Sequence, residues 1–162
     1  MLHHFNYKNK IFFVLPLLIL LTACPISKQA IQKTPAELMA LQSKDFDATK
    51  SNALNAIIAV FQDLGFIIES SDFETGLITA KSPTKGNYTW GGRKMVDTKA
   101  TGTVRELNNN IVKIRFNFVE SKRVSFGYGM KQENEIAILD ATIYQDAFNR
   151  VRNQLFIQKK TN

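Results

Sequence analysis

The sequence predicts an α+β fold: a two-layer sandwich in which an antiparallel sheet of four or five strands packs against two helices, with the long C-terminal helix on the sheet. Three observations predict it. Leu54, Ile57, Ile58, Phe61 and Leu64 form an apolar stripe at helical spacing. Val112, Ile114, Phe116 and Phe118 alternate with Lys113, Arg115 and Asn117, the period of a strand with one buried and one solvated face. A second helical stripe, Ile136, Leu139, Ile143, Ala147, Val151 and Leu155, lies near the C-terminus.

Each element has its own local signal. Thr34-Pro35-Ala36-Glu37 reads as a capping box with proline at the first helical position, so a short helix is expected to about Leu41. Residues 42–46 suit a short strand or the lead into the next element. Asp47 is the expected cap of a helix over residues 47–64, and Gly65 falls where a left-handed C-cap belongs. Residues 66–69 read as a strand, 70–76 as a turn punctuated by Asp72, Thr75 and Gly76, and 77–81 as the returning strand. Residues 83–97 carry weak element signals and read as a long loop. Residues 99–107 and 111–119 form the clearest hairpin, joined by Asn108, Asn109 and Asn110, which tolerate positive φ. A three-residue loop sets Phe116 opposite Gly102, Phe118 opposite Ala100 and Arg105 opposite Lys113. One more short strand is expected where Val124, Phe126 and Tyr128 alternate with Ser125 and Gly127. The last helix is expected from about residue 133 to 156. Arg150, Arg152, Lys159 and Lys160 gather near its C-terminus, where the helix dipole favours cations.

The chain has 162 residues, a net charge of +7, one cysteine and two histidines. His3, His4, Lys8 and Lys10 precede the apolar run 11–21, and Cys24 follows it. That run as a helix spans about 16 Å, short of the ~30 Å of a hydrocarbon core, and Pro16 weakens it further. Residues 1–23 therefore read as a processed export signal. Leu21-Thr22-Ala23-Cys24 resembles the lipobox of bacterial lipoproteins: a branched apolar residue, two small residues and the cysteine that receives the lipid. The resemblance implies diacylation of Cys24, cleavage before it and acylation of its amine. The other readings are an ordinary signal peptide or an uncleaved anchor, with Cys24 incidental. In Gram-negative lipoproteins of this type an aspartate after the cysteine signals inner-membrane retention. Pro25 stands there instead, so the outer membrane facing the periplasm is expected, with the inner membrane as the alternative. Residues 24–40 are then the lipidated cysteine and a tether with the short helix, 41–158 a single domain and 159–162 a tail.

Removing residues 1–23 leaves 139 residues, without histidine and without cysteine after the first. That excludes disulfide scaffolds, Cys/His zinc sites and a histidine base. The mature chain keeps 19 lysines and arginines against 14 carboxylates, a net of about +5. The charge is spread out. An envelope location argues against nucleic acid as a partner, whereas lipid head groups or lipopolysaccharide phosphates suit it; the plainer reading is a soluble basic domain. No cofactor, metal site or catalytic set of Ser, Lys and Asp stands out, so an enzyme is not expected.

The candidate site is the loop over residues 83–97, where Tyr88, Trp90, Arg93 and Lys94 stand among Gly86, Gly91 and Gly92. Trp, Tyr and Arg dominate interface hot spots, and they also stack on sugars or enter membrane interfaces. The competing reading has Trp90 fold back over an open sheet edge. Gly91-Gly92-Arg93-Lys94 lacks the spacing of a phosphate loop, and Asp72 with Glu74 is better explained by a hairpin turn than by calcium. Phe126-Gly127-Tyr128-Gly129-Met130 reads as a strand end with glycine kinks, an edge open to a partner.

Two stretches resemble a group of small bacterial outer-membrane lipoproteins of undefined function. One runs from Leu41-Gln42-Ser43-Lys44-Asp45-Phe46-Asp47 through Val60-Phe61-Gln62-Asp63-Leu64-Gly65-Phe66 to Gly76-Leu77-Ile78-Thr79-Ala80-Lys81. The other is Tyr144-Gln145-Asp146-Ala147-Phe148 with Phe156. The arrangement is similar, more distantly, to the helix-grip domains of the C subunit of the β-barrel assembly machine. The resemblance implies a non-enzymatic, membrane-anchored structural or assembly component of a cell-envelope complex, a class that includes secretion machines. The alternative expectation is a periplasmic module that binds a lipid or a glycan as a small-molecule ligand, which requires a sizeable apolar pocket.

Overall fold

The longest strands carry the clearest alternation, and they organise the molecule. In the computed structural model, which describes residues 33–89, 92–108, 110–126 and 129–161, the described residues belong to a compact unit that begins at Lys33. The elements are α1 (Pro35–Gln42), β1 (Ser43–Asp47), α2 (Lys50–Asp63), β2 (Ile67–Asp72), β3 (Leu77–Lys81), β4 (Lys85–Thr89), β5 (Gly92–Asn108), β6 (Ile111–Phe126), β7 (Lys131–Ala137) and α3 (Ala141–Thr161). All strand pairs are antiparallel, in the order β1-β6-β5-β3-β2, with β4 also on β5 and β7 also on β6.

The fold is α+β, as the sequence predicts, but the sheet has seven strands rather than four or five. The hairpin of β5 and β6 is its spine. One half of it is flanked by β3, β2 and β1, and the other half by β4 and β7. The additional strands come from residues whose own patterning is weak. They form because the second half of the spine would otherwise leave two rows of unpaired backbone groups. So within residues 83–97, expected as a loop, residues 85–89 are β4 and residues 92–97 begin β5. Val124 and Phe126, expected in a separate strand, continue β6, while Tyr128 lies outside the described residues. Residues 131–137, of which 133–137 are expected in the helix, pair with β6, and α3 begins only at Ala141, where Asp140 Oδ1 accepts the Thr142 amide at 2.8 Å.

The expected register holds. Gly102 pairs with Phe116, Ala100 with Phe118 and Arg105 with Lys113. The small residues on β5 leave room for the rings, which reach the helical layer. Phe116 lies 5.6 Å from Phe61 of α2 and 5.2 Å from Phe148 of α3, centroid to centroid, and Phe118 lies 5.2 Å from Tyr144. Tyr144 is fully buried, and its hydroxyl donates to the Ile138 carbonyl at 2.9 Å. At the turn, Asn108 Oδ1 accepts the Ile111 amide at 3.1 Å.

Local signals fix the helix ends. Thr34 and Glu37 form the expected capping box of α1. Thr49, not Asp47, caps α2, because β1 stays paired with β6 through Asp47 and thereby keeps Phe46 in the core. Asp47 instead meets Lys159 at 2.9 Å. The end of α2 is a Schellman motif. Gly65 has φ +80°, its amide donates to Gln62, and the Phe66 amide donates to Phe61. The Phe61 and Phe66 rings then meet at 5.9 Å. The β2–β3 turn rests on Asp72, whose Oδ1 accepts the amides of Glu74 at 2.8 Å and Thr75 at 3.2 Å.

Two predictions follow from the packing and the turn. A Cβ on Gly102 would stand 2.9 Å from Ile57 Cγ2, on a side chain stiff at χ1, and 3.4 Å from Phe116. Gly102→Ala should lose about 1–3 kcal/mol of stability in urea denaturation; no loss would show that the layers are not in contact there. Hydrogen bonds from Thr75, then from Glu74, hold the Asp72 carboxyl below its ordinary range. A depressed carboxyl stabilises the fold above its unfolded pKa, and this contribution is lost as pH falls through the folded value. The Glu74 and Thr75 amides should therefore lose exchange protection below about pH 4, ahead of the Ile78 amide.

Candidate functional site

Side chains alternate across a sheet, so the side that carries Gly102 and Phe116 faces the helices and the other side faces away. Along β5 and β6 this parity is unbroken from the core to the far end, because the sole register shift of the pair lies between Glu106 and Asn108. At the far end four strands stand abreast. Tyr88 pairs with Arg93, Arg93 with Ser125, and Ser125 with Lys131. These residues form one row across the side turned away from the helices. The Arg93 guanidinium carbon lies 5.3 Å from the Tyr88 ring centroid, a cation–π contact.

Three expected site residues are described, and they do not all converge. Tyr88, 77% exposed, and Arg93 share the row, whereas Lys94 pairs with Asn87 on the opposite side. Trp90 lies outside the described residues, as does the lipidation candidate Cys24. The structure adds residues that the loop alone could not supply. Phe126 pairs with Gly92, and its amide donates to the Met130 carbonyl at 2.9 Å, which brings the β6–β7 turn beside the β4–β5 hairpin. Met130 is 66% exposed. Neither residues 82–96 nor residues 122–132 contain a carboxylate. That signal is visible in the sequence, but it becomes one surface only through the register. The sheet end thus presents Lys85, Arg93, Lys94 and Lys131, all exposed, around Tyr88, Phe126 and Met130.

Below the row, the same side holds a polar strut. The Asp97 side chain is fully buried; Arg123 donates to its Oδ1, and Lys81 Nζ lies 3.5 Å from its Oδ2. Ser121 donates to Glu133 at 3.2 Å. Lys99 donates to Glu135 at 2.5 Å, which holds the Lys99 ammonium above its ordinary range. These bonds tie β3, β5, β6 and β7 together beneath the row. They also confine the nearby carboxylates to positions one step back from the end. A depression of about 350 Å³ lies between row and strut, lined by Met95, Arg123, Ser125, Lys131 and Glu133 among others.

On the helix side the layers meet through buried side chains, among them Ile57, Phe61, Phe116, Phe148 and Val151. An open apolar groove of about 450 Å³ lies beside them, where the helices stop and the second half of the sheet begins. Leu64, Phe66, Phe118, Ile138, Thr142 and Ile143 are among its lining residues. Among the described residues no group of His, Cys, Asp or Glu side chains could hold a metal ion.

No family model matches the chain, and no curated protein matches it. The solved structures to which it is similar include a DUF4468 family protein from Bacteroides ovatus. That one is 12% identical, over 79% of this chain and 91% of the other, with a TM-score of 0.39. A TBP-like protein from Parabacteroides distasonis is 15% identical, over 68% of this chain and 91% of the other, with a TM-score of 0.34.

The strut has a testable cost. Removing one partner of a buried ion pair leaves a charge without compensation. Arg123→Met should lose about 3 kcal/mol in urea denaturation, and adding Asp97→Leu should recover most of it. Equal stability of the single and double variants would show that the pair does not tie the strands.

Proposed function

We propose that this protein is a non-enzymatic lipoprotein of the outer membrane, anchored through Cys24 and facing the periplasm. It serves there as a structural or assembly component of a cell-envelope complex, of which secretion machines are one kind. The observation that carries this reading is the sheet end, a carboxylate-free surface of cations and exposed Tyr88, Phe126 and Met130, set apart from the packed core. Residues of this composition serve as contact surfaces, and a rigid four-stranded support presents them without an ordering cost. The tetrad Leu21-Thr22-Ala23-Cys24 supports the anchor. No described helix is long and apolar enough to cross a membrane, and several acyl chains would hold the domain there without one.

A second reading, a module that holds a lipid, is favoured by the apolar groove beside Phe66 and Phe118. Its volume falls in the range of small-molecule sites. A fatty acid that protects Ile138 and Ile143 from exchange at a stoichiometry of one would support that reading over the first.

Cys24→Ser should abolish acyl labelling and release the chain from the membrane fraction. Crosslinking of the lipidated chain should recover envelope proteins, and Tyr88→Ala with Arg93→Ala should reduce that recovery at unchanged urea midpoint. Recovery of no partner, or recovery indifferent to both substitutions, contradicts the assembly reading.

A further inference from the structure

Resting on that reading of Cys24 and of the sheet end, we propose that the sheet end docks on the anionic phospholipid surface of the membrane that holds the anchor. Charge complementarity is the first argument. Lys85, Arg93, Lys94 and Lys131 are exposed on three of the four strands abreast there, Arg93 and Lys131 on the side away from the helices and Lys85 and Lys94 on the other, and no carboxylate lies in residues 82–96 or 122–132. Farther back on the side of Arg93, three cations have acidic partners: Lys99 meets Glu135, Lys113 meets Asp45, and Arg123 meets Asp97. At the end, both sides of the sheet carry cations in segments without a carboxylate. An anionic leaflet attracts such a surface over a Debye length.

The second argument is the kind of apolar side chain that accompanies the cations. Tyr88, Phe126 and Met130 are exposed by 77%, 42% and 66%. A tyrosine with an apolar body and a polar tip, beside long cationic stems, matches the polarity gradient of a head-group layer. These side chains sit at the end of two hairpins, where a broad flat partner can meet them together. The strut of Asp97, Arg123 and Lys81 links β3, β5 and β6 behind the end, and the strands there are already paired, so docking does not require them to order first.

The third argument is reach. Lys33 follows Cys24 by nine positions, which allows at most about 30 Å of extended chain. An acylated Cys24 therefore keeps the domain beside the bilayer, where a weak surface contact acts at high effective concentration. The sheet end then supplies orientation and the acyl chains supply residence.

The test uses the lipidated full-length chain in vesicles with brominated acyl chains, either zwitterionic or containing phosphatidylglycerol. The anchor holds the protein on both, so partitioning does not confound the result. Trp90, the single tryptophan, stands in the sequence between Thr89 and Gly91 and reports by its fluorescence. Tyr88→Trp in a Trp90→Phe background reports from the row itself. Quenching of both reporters is expected in the anionic vesicles, with little in the zwitterionic ones and reversal at high salt. Arg93→Gln and Lys131→Gln should each lower the ratio of docked to undocked domains about fivefold, at unchanged urea midpoints. Absence of quenching for both reporters, or equal quenching in the two compositions, overturns the proposal. Crosslinks from the sheet end to an acidic envelope protein without quenching also overturn it, while the assembly reading stands. Quenching without any crosslinked protein supports the lipid contact and removes the assembly reading instead.

Discussion

The structure depends on the pairing of Gly102 with Phe116 and of Ala100 with Phe118 beneath α2. Small residues on β5 let two rings of β6 lean across the strand and reach Phe61, Phe148 and Tyr144. A slip of one residue would turn both rings to the side away from the helices, so the core fixes the register. The same unbroken ladder continues to Gly92 and Phe126. The row of Tyr88, Arg93, Ser125 and Lys131 is thereby positioned by contacts made several residues away, in a part of the sheet that touches neither side chain of interest.

That arrangement divides the molecule by task. The half of the spine flanked by β1, β2 and β3 carries the helices and the buried aromatic cluster. The half flanked by β4 and β7 stands beyond the core and is held by backbone pairing and by the ion pairs of Asp97 and Glu135. On the proposed reading the first half supplies stability and the second supplies contact, while Cys24 supplies residence at the membrane. The apolar groove lies on the boundary between the halves, which is why its lining draws on both helices and on the sheet.

Legibility in the sequence followed the range of the forces involved. The helix α2, the strand β3, the capping box at Thr34 and the register of β5 on β6 rest on periodicity and capping within a few residues, and they were readable. The strands β4 and β7 rest on edges that only the folded spine creates. Lys131–Ala137 carries no strong strand pattern, and its helix-like apolar spacing at Ile136 misled because Val119–Ser125 of β6 needed a partner. Asp47 is a good cap by residue type, yet Phe46 had to stay on β1 to remain buried. For the site, Tyr88, Arg93 and Lys94 were visible as a composition, but the register separates Lys94 from the row, adds Lys131 to it, and brings Phe126 and Met130 to the same sheet end from a segment some forty residues on. The absence of carboxylates from both segments was present in the sequence throughout; only the pairing of Gly92 with Phe126 makes it one surface.

On the proposed reading, the sheet end is the surface through which this protein works. Hydrogen–deuterium exchange of the lipidated chain in native envelope, compared with the same chain in detergent, tests it most directly. The account predicts added protection confined to residues 85–89, 92–96 and 124–132, with α2 and α3 unchanged. Protection centred on the groove of Leu64, Phe66 and Ile143, or none anywhere in the described residues, would contradict it.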